Sequence, residues 1–187
     1  MNDYLNVNID GLLEKIENEV RMGRFIPIVG PIKGNLLYIL AKIINAKRVL
    51  ELGTAVGYST ALLVKAIKPG TVVTIEANKQ LAIEAKQNLK QAKISQYVNV
   101  MTGDARIIIS ALKDSYDLVF LDIAKEHYIE VLEDCIRLLR RGGLLIADNA
   151  NWEVLGSFRE ALMKHPNLET RIINLEDGMA ISRKIKD

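Results

Sequence analysis

Cysteine is almost absent: Cys135 is the only one in 187 residues. No internal disulfide can form, which fits a reducing compartment. No apolar run approaches the ~18 residues of a membrane span. The opening residues MNDYLNVNID have neither the basic stretch nor the apolar core of a secretory leader. A cytoplasmic location, with no membrane partner, is the expectation. Charge of one sign is scarce as well. Lys and Arg number 25 against 23 Asp and Glu, a net charge of +2, which does not by itself imply nucleic acid or membrane. Repeats, low-complexity segments and linkers are missing. Hydrophobic residues, by contrast, make up 49%, enough to fill the core of one generous domain. A single domain over 1–187 is expected, with N-terminal helices and a covering segment in 1–45.

Apolar runs of five to seven residues alternate with longer amphipathic stretches, the pattern of βα units on a parallel sheet. Helical spacing covers 9–22, with Asp10 as a possible N-cap, and 34–45. Strands are predicted at 47–52, 71–76, 97–102, 117–121 and 143–147. Helices follow them from about 57, over 78–93, from about 105, over 126–140 and over about 155–165. Two last strands, 169–174 and 179–185, have no helix between them and are expected to form an antiparallel pair at the sheet edge.

The stretch VLELGTAVGYST (residues 49–60) runs from a buried strand through a glycine turn into a helix. Ligands of open α/β sheets bind at the carboxyl ends of strands. Gly53 and Gly57 lack a Cβ and let a ligand approach the backbone. A dinucleotide fingerprint reads G-x-G-x-x-G. Here Ala55 stands at the middle glycine and Glu51 precedes the turn, which favours a ligand without phosphates and with positive charge. Glu76, at the tip of strand two, is placed to hold ribose hydroxyls or to cap the next helix, a task open also to Asn78. Asp104, after strand three, either accepts an adenine amino group or caps its helix. In order, the three strand ends point to an adenosine-like ligand.

VLELGTAVGYST, TIEAN and GDA together resemble the S-adenosylmethionine (SAM) binding segments of class I methyltransferases. The resemblance implies a seven-stranded Rossmann-like fold, mostly parallel with an antiparallel C-terminal hairpin. It also implies Gly53 and Ser59 near the methionine portion, Glu76 on the ribose, Asp104 with Ala105 near the adenine, and Tyr58 among the cofactor-binding residues.

Strand four ends at Asp122, followed by Lys125. Strand five ends at Asp148-Asn149. If these ends converge, they offer three hard oxygen ligands suited to Mg²⁺, with Mn²⁺ or Ca²⁺ as alternatives. Methyl transfer to oxygen wants a deprotonated nucleophile, and a phenol is barely ionised at neutral pH. A divalent cation stabilises the oxyanion, and a lysine beside that cation gives up its proton more readily and can act as general base.

DLVFLDIAKEHY followed by GGLLIADNANW resembles the cation-dependent O-methyltransferases of the catechol and caffeoyl-CoA type. That implies Asp122, Asp148 and Asn149 as metal ligands, Lys125 with Asp122 in catalysis, Asp122 also beside the cofactor, and a homodimer. Residues 29–34 (VGPIKG), including Val29, resemble the segment covering the cofactor, and 176–179 (EDGM) the final hairpin. About thirty residues precede the covering segment, fewer than in many relatives, so a substrate lid and a dimer contact there are open. The second carboxylate of catechol-type members has no obvious counterpart, since Arg171 falls near its place. The implied activity is methylation of a small ortho-diphenol-like hydroxyl acceptor. A hydroxylated nucleoside in tRNA is the alternative, though no RNA-binding domain or basic excess is present. His127 and His165 are expected on the surface and Cys135 in the core. Trp152 is expected either to wall an acceptor pocket or simply to pack.

Overall fold

The computed structural model describes residues 8–186. Residues 1–7, most of the stretch from which the lack of a leader is read, and residue 187 lie outside it. In chain order the described elements are α1 (Ile9–Arg21), α2 (Gly30–Ile43), β1 (Arg48–Leu52), α3 (Tyr58–Ile67), β2 (Thr71–Glu76), α4 (Lys79–Gln91), β3 (Val98–Thr102) and α5 (Ala105–Ala111). They continue with β4 (Tyr116–Leu121), α6 (Tyr128–Leu138), β5 (Leu139–Asp148), α7 (Gly156–Lys164), β6 (Leu168–Ile173) and β7 (Met179–Lys184).

The seven strands lie in the order β3-β2-β1-β4-β5-β7-β6. β1 to β5 pair in parallel, and β7 inserts antiparallel between β5 and β6. Alternation along the strands builds two cores. Val49, Val72, Leu118, Phe120 and Ile146 face α1 to α4. Leu50, Leu52, Val119, Leu121 and Leu145 face α5 to α7. Both faces of the sheet are therefore covered, which is why these strands read as near-continuous apolar runs. Chain order reverses between β1 and β4, and the crevice beyond their carboxyl ends is the switch point where such sheets bind ligands.

Two element starts differ from the predicted ones by four residues, and several other boundaries by one or two. α2 begins at Gly30, not 34, because Pro31 sits in its first turn, where a fixed φ and a missing N–H cost nothing. α6 ends at Leu138, not 140, and β5 begins at Leu139, not 143. The added strand residues pair through a shift: Tyr116 faces Leu139, while Leu118 faces Leu144. Gly142 takes a φ of +81° there, and a Cβ on Gly143 would lie 2.7 Å from the Asp117 carbonyl oxygen. This glycine pair forms the bulge.

Candidate active site

Beyond β1 the chain stays bonded to its neighbours. Gly53 N–H donates to Ile75 O at 2.9 Å, and Asp122 N–H donates to Leu52 O at 2.8 Å. A Cβ on Gly53 would lie 2.1 Å from the Asp122 carbonyl oxygen, and its φ is +101°. The glycine is needed first by this protein–protein approach, a reason additional to ligand access. Gly57 serves the fold: it is the N-cap of α3 with a left-handed φ of +92°, and the residue has no part in the cavity wall.

Glu51 also departs from expectation. It is completely buried behind the turn, where its Oε2 accepts the hydroxyls of Thr60 and, at 2.6 Å, Thr74. Oε1 has no hydrogen-bond partner among the described residues. Burial pushes the carboxyl up to about 7, against the pull of the hydroxyl donors. It stands behind the cavity wall, not in it.

A cavity of about 390 Å³ lies over the ends of β1, β2 and β4, within the usual range for small-molecule sites. Val29, Gly53, Tyr58, Ser59, Glu76, Asp104, Ala105 and Asp122 all line it, as does Lys125. Glu76 is held by two backbone donors, Ala55 N–H and Asn78 N–H, each at 2.8 Å. One carboxylate thus bridges two strand-end turns, and its lone pairs beyond these two bonds face the cavity. Ala55 reaches it with a φ of +45°, the left-handed geometry that a glycine would fill more cheaply. Asn78 caps α4. Asp104 caps α5 through Arg106 N–H and also receives the Arg106 guanidinium, so its capping role is explicit. His127, expected on the surface, lines the cavity beside Asp104, with Nδ1 2.7 Å from Glu130.

A second cleft of about 530 Å³ opens next to it, lined by Lys33, Asp122, Lys125, Asp148, Asn149, Trp152, Glu176 and Asp177. Val29, Asp122 and Lys125 belong to both. The ends of β4 and β5 converge here as predicted. Asn149 adopts a φ of +55°, which asparagine tolerates. That turn breaks the strand alternation, so both Asp148 and Asn149 face the cleft. Lys125 Nζ donates to Asp122 Oδ1 at 2.6 Å, to Ile123 O at 3.1 Å and to the Tyr128 hydroxyl at 3.0 Å. Tyr128, fully buried, shares its own proton between the carbonyls of Leu121 and Asp148, tying the two strand ends together. Trp152 is half-exposed on the cleft, its ring centroid 5.8 Å from Lys125 Nζ. Cys135 is buried, and Arg171 is exposed and donates to Thr170 O.

Two residues here are not evident from the sequence. Lys33 of α2, 4% exposed, donates to Asp148 Oδ1 at 2.5 Å and to Asp177 Oδ1. Burial works against its charge, but the two carboxylates outweigh that and raise its pKa above the ordinary lysine value. Asp177 also accepts Asn149 Nδ2–H. Burial and the nearby Asp122 charge lift the Asp148 carboxyl to about 6, although Lys33 opposes them.

The donor set suits a hard divalent cation. Asp122 and Asp148 repel one another across the cleft, and a cation relieves that. The hydrogen bonds to both carboxylates fall on Oδ1, which leaves each Oδ2 for coordination. No cluster of three or more His, Cys, Asp or Glu suited to a metal is found among the described residues. The third donor would be the Asn149 amide, with water and acceptor oxygens completing the shell.

The similarities to known proteins agree with this geometry. The O-methyltransferase family model matches residues 12–185. A catechol O-methyltransferase of Niastella koreensis is 34% identical over 154 residues, 80% of this chain and 70% of that protein. A catechol O-methyltransferase of Mycobacterium tuberculosis is 40% identical over 119 residues, 63% of this chain and 54% of the other. Among solved structures, the Streptomyces achromogenes O-methyltransferase TomG, involved in tomaymycin synthesis and bound to SAM, superposes with a TM-score of 0.86 at 26% identity, covering 97% of this chain and 93% of that one. An O-methyltransferase from Bacillus cereus in complex with SAH gives 0.86 at 25%, over 97% and 94%. With the family model spanning nearly the whole chain and the SAM-type cavity intact, the chain belongs to the O-methyltransferase family of SAM-dependent enzymes.

Proposed function

We propose that the protein moves the methyl group of SAM to one hydroxyl of a small ortho-diphenol-like acceptor, with a divalent cation held by Asp122, Asp148 and Asn149. The observation that carries this is the shared wall: Asp122 and Lys125 line both the cofactor cavity and the acidic cleft. A sulfonium methyl in one and a hydroxyl in the other meet there. Trp152 offers a flat face to an aromatic ring. Val29, Tyr58 and Ser59 line the cavity at the methionine end, and Glu76 receives the ribose hydroxyls. When bound, the cation supplies positive charge that favours the acceptor's oxyanion. Lys125, as the neutral amine, takes the acceptor proton on Nζ, and the ammonium that results donates to Asp122 Oδ1, Ile123 O and the Tyr128 hydroxyl. The oxygen then bonds the methyl carbon as the carbon–sulfur bond breaks, leaving S-adenosylhomocysteine. Holding the two atoms in line supplies much of the rate.

A tRNA acceptor is not favoured. Four carboxylates, Asp122, Asp148, Glu176 and Asp177, line the cleft against two lysines, a surface that repels a phosphate backbone. A homodimer is part of the proposal by family likeness. The test is transfer of labelled methyl from SAM to a diphenol panel with Mg²⁺. Strong chelation and Asp122→Ala should each lower the rate at least about a hundredfold. Full activity under either condition refutes the metal mechanism, and label in tRNA alone refutes the acceptor.

A further inference from the structure

Lys33 lies on the buried face of α2 with Leu37 and Ala41, and its ammonium joins two elements far apart in sequence, the end of β5 and the β6–β7 turn. What it holds there has directional consequences. Asp177 is an acceptor only, so its bond from Asn149 selects the amide nitrogen and turns Asn149 Oδ1 away from Asp177. Asp148 Oδ1 is occupied by Lys33 and, at 2.8 Å, by the Asn149 N–H. Its Oδ2 is the oxygen left over.

We propose that Lys33 is a positioning residue. Through Asp148 and Asp177 it aims Asp148 Oδ2 and Asn149 Oδ1 into the cleft, where a divalent cation is received. This rests on the metal reading above. Coulomb's law alone makes the opposite demand. A positive charge beside a cation site repels the cation, so deleting it should tighten metal binding. Ligand orientation predicts weakening, because outer partners of metal ligands typically change affinity about 10–100-fold. The two effects therefore differ in sign.

The experiment is calorimetric titration of the whole protein with Mn²⁺ alone at fixed pH, for wild type, Lys33→Met, Lys33→Gln and Lys33→Arg. S-adenosylhomocysteine titration runs in parallel and reports whether the neighbouring cavity is intact. The expected result is a Mn²⁺ Kd at least about tenfold weaker in Lys33→Met, the same direction in Lys33→Gln, and substantial recovery in Lys33→Arg. Equal or tighter Mn²⁺ binding by Lys33→Met and Lys33→Gln overturns the positioning role and leaves the metal reading standing. Wild-type protein that binds no Mn²⁺ overturns both.

Discussion

Gly53 shows how little room single residues have at the switch point. A methyl group there would overlap the Asp122 carbonyl at 2.1 Å while the backbone holds a φ of +101°. Left-handed backbone and overpacking together should cost Gly53→Ala about 2–5 kcal/mol. Urea unfolding measures this, and a loss below about 1 kcal/mol would contradict the packing account. The motif residues Gly53, Glu76 and Asp122 can be read from sequence because each ends an apolar strand. Lys33 cannot be paired from sequence, since its partners lie 115 and 144 positions away. Its only local signal is register: it falls four residues before Leu37 and eight before Ala41, on a buried helical stripe. The role of Glu51 is hidden for the converse reason, because a strand-end acid looks the same whether it faces a ligand or two threonines.

Among the elements, α1 supports the cofactor cavity from outside. Ile9, Leu12, Leu13 and Ile16 form its buried face. Its polar residues reach the glycine-turn region: Glu17 accepts the Tyr58 hydroxyl at 2.6 Å, and Lys15 donates to Asn88, whose own amide donates to Val56 O. Ile16 is 1% exposed. Ile16→Ala should cost about 2–5 kcal/mol in urea unfolding, and SAM affinity should fall with it because Tyr58 lines the cavity. Unchanged affinity in a destabilised variant would separate α1 from the site. The elements themselves are legible because parallel strands covered on both faces leave apolar runs, and the helices between them leave 3.6-residue spacing. The bulge in β5 is not. Gly142 and Gly143 permit it, but whether a glycine pair ends a helix or bulges a strand is decided by how β4 and β5 register.

At the scale of the whole molecule, packing of the helical layer that includes α3 onto the sheet seals Glu51 from water, and stability inherits its titration. In the native protein its carboxyl holds a proton up to about pH 7. In the unfolded chain it ionises near the ordinary glutamate value of about 4.3. Between those limits the native state binds more protons, so its stability falls as pH rises and the loss is complete above about 7. Each pKa unit is worth about 1.4 kcal/mol, which sets an upper bound of about 4 kcal/mol over the whole range. Glu51→Gln removes this titration while keeping an oxygen for the hydroxyls of Thr60 and Thr74. The stability of the variant relative to wild type should therefore climb by up to about 3 kcal/mol from pH 4.5 to pH 8. Urea unfolding of both proteins across that range, without SAM or metal, measures the difference. Every other titrating group, including Asp148 with its own raised pKa, is common to both and cancels. Parallel stability curves would mean that Glu51 titrates alike in the folded and unfolded chain, so that the hydroxyls of Thr60 and Thr74 offset its burial in full.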